Sequence, residues 1–424
     1  MLRDSWFSAH VYPKELWRSK KILPSCHLLC SCVFVWVSGS SSETHKNLEP
    51  RTHTKKNSFN IQTHELHEKG ANQGKTTSTG PGLENDKPNR VCSHFVLADH
   101  MSEPNTEKQP EVFVVVPSYN HAPFVEKCLR SIIGQTLKPK KLLVIDDGSK
   151  DGSPAIIEKV LNDCPFASEF IARENRGLCA TLNQGFDASD GKYFAYLGSD
   201  DLWLPRFLEE QTKLLRERKT AVLAFSHAYL IDEDSNITGS TADWNDFRNG
   251  DMLPLLMQGV VFSSPGVLYR RSALKKLRWN EVAKLEDYEM YLRLAIDGDF
   301  ARNRKVLCGW RQHGDNASSR LPAMFSEMLA SQARVAPEVG VDKEELARMQ
   351  KQMKFAAVEN FVRHGFRSEG ARLFFDNIGG AESALHLART AFRLVIPQSL
   401  FQWNRRRKRA SAAERLGKID QFLN

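Results

Sequence analysis

The sequence has no unbroken apolar run near the ~20 residues that a membrane-spanning helix needs. Cysteine is scarce and irregularly spaced: eight in 424 residues make no disulfide framework in a chain this long, so a reducing compartment is the default expectation. No charge dominates either. A net charge of +8 and a pI near 9.0 permit an anionic partner, but the basic residues accompany no nucleic-acid recognition motif, so no nucleic-acid partner is expected. Also missing is a Gly-rich, basic phosphate loop after the first β-branched run. That absence argues against a nucleotidyltransferase, another class that uses paired Asp on an α/β sheet.

What is present is ordinary for a soluble or peripherally attached globular protein: 41% hydrophobic and 26% charged residues. The first 110 residues differ from the rest. Eight of the 13 histidines precede residue 101, and stretches such as Glu43-Thr44-His45-Lys46-Asn47 show no apolar period, which predicts disorder. Leu28–Val37 has the length of a signal-peptide core but begins late, after a charged, Trp-containing lead. Cys26, His27, Cys30 and Cys32 have no second cluster at the spacing a metal site needs. The break at Met101-Ser102-Glu103 marks Met101 as the expected natural start.

From Glu111 strands and helices alternate. Val112–Val116 is a β-branched run of the buried parallel type, followed by a turn at Pro117-Ser118-Tyr119-Asn120 and a helix from Pro123 to Gln135. Leu142–Ile145 is a second strand, ending at Asp146-Asp147-Gly148-Ser149, with a helix from about Ser153 to Leu161. Ser168–Ala172 precedes Glu174-Asn175-Arg176-Gly177 and a helix to Ala188. Lys192–Leu197 delivers Gly198-Ser199-Asp200-Asp201, and a further helix starts after Pro205. This order predicts an α/β fold with a mostly parallel, Rossmann-like sheet, whose ligands bind outside the carboxyl ends of the strands. All four loops fall on that edge. Adjacent acids there repel unless a cation lies between them, and paired oxygen ligands suit a hard divalent ion. Read alone, Asp200-Asp201 equally well caps the next helix.

Together the four loops, with Asn183-Gln184-Gly185 following the third, resemble the successive motifs of family 2 glycosyltransferases, inverting enzymes of the GT-A fold. The resemblance spans about residues 111–320, with a donor half at 111–215 and an acceptor half at 216–320. It implies that Pro117, Tyr119 and Asp147 hold the nucleotide base of a nucleotide sugar, a UDP-sugar being expected, with Asn120, Arg176, Asn183 and Asp200 also on the donor. Arg176 alternatively caps a helix, and Asn183 alternatively braces its loop. The family's first Asp of its Asp-x-Asp signature is Gly198 here, which puts Mn²⁺ or Mg²⁺ binding on Asp200 and Asp201. His313, in the closing Arg311-Gln312-His313 segment, is a further ligand candidate, and Arg311 a candidate for the diphosphate.

In the second half, Ala221–His227 reads as a strand, and Trp244, Phe247 and Met252 fall in an irregular stretch that the acceptor site could use. Pro265–Arg271 returns to the sheet, beside the acceptor by the same resemblance, with Arg270 or Arg271 either meeting an anionic lipid phosphate or forming a solvated pair. Leu285, Tyr288, Tyr291, Leu292 and Ala295 lie on one helical face. Glu286 and Asp287 open this helix. They serve either as helix-start acids or, as the resemblance implies, as the catalytic pair, with Asp287 the base and Glu286 its positioning partner. Asn236-Ile237-Thr238 and Asn316-Ala317-Ser318 fit a glycosylation sequon, a pattern frequent by chance.

Residues 321–424 read as a helical, basic extension. Leu400-Phe401-Gln402-Trp403 runs into Arg405-Arg406-Arg407-Lys408-Arg409, a pattern that fits an anionic membrane surface or a solvated helix face. The expected protein is a metal-assisted inverting transferase of cell-surface polysaccharide synthesis, with a saccharide or lipid-linked acceptor. It is expected to be cytoplasmic or peripheral on the inner face of the plasma membrane. The loss of the first Asp leaves a degenerate nucleotide-sugar-binding module as the alternative.

Overall fold

The computed structural model describes residues 111–244, 249–314 and 320–423. The readings of residues 1–110, of Phe247 and of Asn316–Ser318 lie outside these. Nine strands form one mixed sheet in the order β3-β2-β1-β4-β8-β6-β9-β5, with β7 paired to β6. They are β1 (Val112–Ser118), β2 (Lys141–Asp146), β3 (Ser168–Ala172), β4 (Tyr193–Tyr196), β5 (Leu202–Trp203), β6 (Ala221–Ile231), β7 (Ile237–Ser240), β8 (Val267–Arg270) and β9 (Asp299–Arg311). β3, β2, β1 and β4 pair in parallel, with helical crossovers leading into β2, β3 and β4. β8 then joins β4 and β6 antiparallel, while β6 and β9 pair in parallel. The α/β class holds, but parallel pairing dominates only the first half of the sheet.

Period-two alternation along the strands assigns the two faces. Val112, Val114, Val116, Leu142 and Val144 point to one side, under α1 (Val125–Ile133), α2 (Ser153–Asn162) and α4 (Phe207–Glu217). Phe113, Val115, Leu143 and Ile145 point to the other, under α3 (Leu178–Asp187) and α7 (Glu286–Asp297). Two short helices, α5 (Leu253–Met257) and α6 (Arg271–Leu274), complete this half. Trp244 and Met252 are buried in these cores, so the structure does not present them to an acceptor.

The C-terminal region is helical, as expected: α8 (Leu321–Val335), α9 (Lys343–Arg363), α10 (Arg367–Asp376), α11 (Ala384–Val395) and α12 (Gln398–Leu416). Arg334 of α8 reaches Glu289 of α7 at 2.7 Å, fastening the extension to the helix that carries Glu286 and Asp287. After α12 the chain returns to the sheet. Asn236 and Lys418 form an antiparallel bridge, and Ile419 is fully buried with Leu202, Ile231 and Ile237.

Candidate active site

The site lies beyond the carboxyl ends of β1, β2 and β4. Asn120 adopts a left-handed φ of 54°, a conformation Asn tolerates better than most residues. The loop is then pinned to its neighbour. The Asn120 amide donates to Ser149 Oγ at 2.8 Å, and the Asn120 side-chain oxygen accepts from Lys150 N at 2.9 Å. The amides of His121 and Ala122 donate to Ser153 Oγ (3.1 Å) and Asp151 Oδ2 (2.8 Å). Tyr119, beside Pro117 at the end of β1, keeps half its surface exposed, leaving a ring face open for stacking.

Asp147 is buried, and its carboxylate accepts from the amides of Arg176 (3.0 Å) and Gly177 (2.7 Å) while Arg173 pairs with it at 2.7 Å. Sequence reasoning named Arg176 and passed over Arg173, the residue that contacts the acid; the Arg176 side chain is exposed. Asn183 spends its amide within the protein. Its Nδ2 donates to Trp279 O and Glu281 Oε1, and its Oδ1 accepts from Trp279 N, all at 3.0 Å. These are the contacts of a brace between α3 and the loop before α7.

The β4 loop brings Asp200 between two imidazoles. His313 Nε2 is 3.1 Å from Asp200 Oδ2, and His121 Nδ1 is 3.8 Å from Asp200 Oδ1. Burial opposes the Asp200 charge, but the His313 hydrogen bond and the two imidazoles outweigh it and hold the carboxyl below its ordinary range. Asp201 faces inward, accepting from Arg311 N at 2.8 Å. Burial, then the neighbouring Asp200 charge, pushes its carboxyl well up. One ligand atom each from His121, Asp200 and His313 lies within 4.8 Å of the others, a cluster that could hold a metal ion. Asp201 is not in that cluster, and His121 is a residue that sequence reasoning missed.

Two arginines are placed differently from expectation. Arg270 pairs with Tyr193 at the amino end of β4, the edge opposite Asp200, and donates to the carbonyls of Leu215 and Ala221. It is not brought to the site. Arg311 is fully buried and donates to the carbonyls of Asp200 (2.8 Å) and Asp232 (2.6 Å), with Phe124 under its guanidinium. Its donors brace the loops and do not form an open fork for a diphosphate. The sequence reading put both cations on anionic groups of substrate, yet here they satisfy backbone carbonyls at the ends of helices, strands and turns.

Glu286 and Asp287 occupy the first turn of α7, where helix amides are open to carboxylates. Asp287 is buried. Burial, then the Glu286 charge, raises its carboxyl well above the ordinary range, against hydrogen bonds from the Tyr288 and Asp287 amides. Burial raises Glu286 as well, and the charge of Asp200 adds to this, which puts the pair within electrostatic reach of the β4 corner. Tyr196, Tyr269 and Tyr291 lie alongside, their phenols raised first by burial and further by these acids.

Residues 113–278 match the family model "Glycosyl transferase family 2". Among curated relatives, an uncharacterized glycosyltransferase of Nostoc sp. is 26% identical over 236 residues, covering 53% of this chain and 72% of that protein. An uncharacterized glycosyltransferase of Haemophilus influenzae is 29% identical over 183 residues, 43% of this chain and 71% of that protein. The hyaluronan synthase of Pasteurella multocida is 22% identical over 218 residues, 51% of this chain but 22% of the synthase; this chain thus spans about a fifth of that longer relative. The solved Pyrobaculum calidifontis mannosyltransferase in complex with GDP-Man and Mn²⁺ covers 73% of this chain and 87% of its own, at 18% identity and a TM-score of 0.48. The family match, the order of the four loops and the sheet that gathers them agree: residues 113–278 form a domain of the family 2 glycosyltransferase type.

Proposed function

We propose that the protein transfers a hexose-type residue, with inversion, from a nucleotide sugar to a saccharide or lipid-linked acceptor. A UDP-sugar is the favoured donor and the transfer is metal-assisted. The observation that carries this reading is the juxtaposition of an Asp200 carboxylate held ionised between imidazoles with a Glu286–Asp287 pair held toward the protonated side. Tyr119 offers a face to the base, and Asp200 and His313 hold the divalent ion. When bound, that ion offsets charge on the departing diphosphate. Asp287 takes the acceptor hydroxyl's proton while that oxygen bonds to the anomeric carbon. The bond from that carbon to the diphosphate oxygen breaks on the opposite face, and the diphosphate leaves with its electron pair. A raised carboxyl makes the stronger base, and burial, then the Glu286 charge, keeps Asp287 raised.

The test is a screen of nucleotide sugars for Mn²⁺- or Mg²⁺-dependent donor hydrolysis, followed by acceptor panels. Turnover with one donor supports the reading. Tight UDP binding without hydrolysis or transfer across the panel gives the second reading, a nucleotide-sugar-binding module, which Gly198 favours by removing a carboxylate from the corner.

The same reading puts the protein against the cytoplasmic side of an anionic membrane. Among the described residues, no helix is long and apolar enough to cross a membrane. The cysteines at 128, 164, 179 and 308 are free. α12 buries none of its residues, exposes Leu400 (54%) and Trp403 (59%), and carries Arg405–Arg409. An exposed apolar face beside clustered cations suits acidic headgroups. Co-sedimentation with phosphatidylserine-containing vesicles, but not with neutral ones, is the expected result. Equal failure with both overturns it.

A further inference from the structure

We propose that His121 takes the ligand place that Gly198 leaves unfilled, making the corner a two-histidine, one-carboxylate site that prefers a first-row transition ion to magnesium. The inference rests on the donor-site reading above and deepens it. Gly198 does more than lack a carboxylate. A Cβ there would lie 2.8 Å from Asp200 Oδ1 and 3.3 Å from Asp201 Oδ2, so the acids themselves fill the space a longer side chain would need. Asp200 turns toward the two imidazoles, which come from opposite ends of the domain, one after β1 and one after β9.

His121 is presented by a fixed backbone. Its own amide and those of Asn120 and Ala122 are all anchored on the β2 loop. The rings of His121 and His313 meet edge to face with centroids 5.5 Å apart, and Phe124 flanks both, at 6.2 and 5.1 Å. Ser199 Oγ sits 2.8 Å from His121 Nδ1, a polar contact that holds the ring beside Asp200. The three ligand atoms lie within 4.8 Å of one another, close enough for small side-chain adjustments to bring them onto one ion. Mg²⁺ prefers an oxygen shell and sheds its water reluctantly, whereas two imidazoles and one carboxylate are a transition-metal donor set.

The experiment titrates the full chain, freed of metal and without nucleotide, with Mn²⁺ (by electron paramagnetic resonance) and Mg²⁺ (by calorimetry). Wild type should bind Mn²⁺ at least about tenfold more tightly than Mg²⁺. His121→Phe, which keeps the ring packing on Phe124 but removes both nitrogens, should weaken Mn²⁺ by about tenfold or more, leave Mg²⁺ nearly unchanged, and melt like wild type. His121→Ala should do the same. Mn²⁺ affinity unchanged in both folded variants assigns His121 to Ser199 alone and overturns the proposal, as does equal Mn²⁺ and Mg²⁺ affinity in wild type. A parallel UDP titration keeps the two readings apart. Absent UDP binding at saturating Mn²⁺ defeats the donor site but leaves the metal affinities to decide the ligand assignment.

Discussion

Two pairs of adjacent acids, Asp200-Asp201 and Glu286-Asp287, come to the site from different elements, and their surroundings differ. Asp200 has two imidazoles beside it and is held below its ordinary range, while its neighbour Asp201 is turned inward onto the Arg311 amide. Glu286 and Asp287 have helix amides and tyrosines around them, and both carboxyls are raised. The contrast rests on Asp200: alone of the four carboxyls it is held low, beside two imidazoles, while Asp201, Glu286 and Asp287 are all raised. Environments that push titratable groups apart in this way mark a division of labour between charge stabilisation and acid–base work.

Substituting Asp287, the proposed base, should give the largest effect. Asp287→Asn removes the proton acceptor and should lower turnover by about 10²–10⁴-fold, the usual contribution of a general base, with donor affinity kept. It also removes a carboxyl whose folded pKa is raised. Such a group favours the folded state below its unfolded pKa and loses that contribution as pH climbs through the folded value. At neutral pH the variant should melt at or above the wild-type temperature, and turnover retained at wild-type level would refute the base assignment. The wild-type pH profile is the second test. With Asp287 as the proposed base, activity should rise with pH along an acid limb displaced above the ordinary carboxylate range near ~4. A limb at the ordinary position would make the two acid pairs alike.

On the other pair, Arg311→Ala should act on stability more than on chemistry. It uncovers the carbonyls of Asp200 and Asp232 and removes the cation facing Asp201. Removing one partner of a buried charged network costs about 3–5 kcal/mol, read as a shift in denaturant midpoint. A surface role in holding diphosphate predicts near-normal stability instead.

How much of this was legible depended on distance along the chain. The first four strands and their loops were readable because each motif is complete within about six residues and each strand is a continuous buried run. His121 adjoins Asn120, a residue that was read, yet its significance depends on Ser199, 78 positions away. A histidine directly after the first motif loop was the available signal. β9 carries Arg302, Arg304 and Lys305 in mid-strand and shows no apolar alternation there; only its pairing with β6 makes it a strand. Arg270 and Arg311 were misread for a related reason. A guanidinium in sequence suggests solvent or an anion, while the carbonyls that claim it come from other segments.

The smallest expected effect tests whether the two pairs are also mechanically separate. The tail after α12 docks behind the metal-side pair: Ile419 is buried against Leu202, the residue following Asp201, and its amide donates to Ser235 O at 3.0 Å. Ser235 lies in the loop whose carbonyls Arg311 grips. Ile419→Val removes one methylene from this contact and should cost about 0.5–1.5 kcal/mol. The loss should pass through Leu202 and the 232–235 loop to Asp200. Mn²⁺ affinity should therefore weaken modestly, while the acid limb set by Glu286 and Asp287 stays in place, because α7 is fastened through Glu289 and Arg334 on the other face of the sheet. A shift of the acid limb with unchanged Mn²⁺ affinity would reverse the assignment of the tail to the metal side.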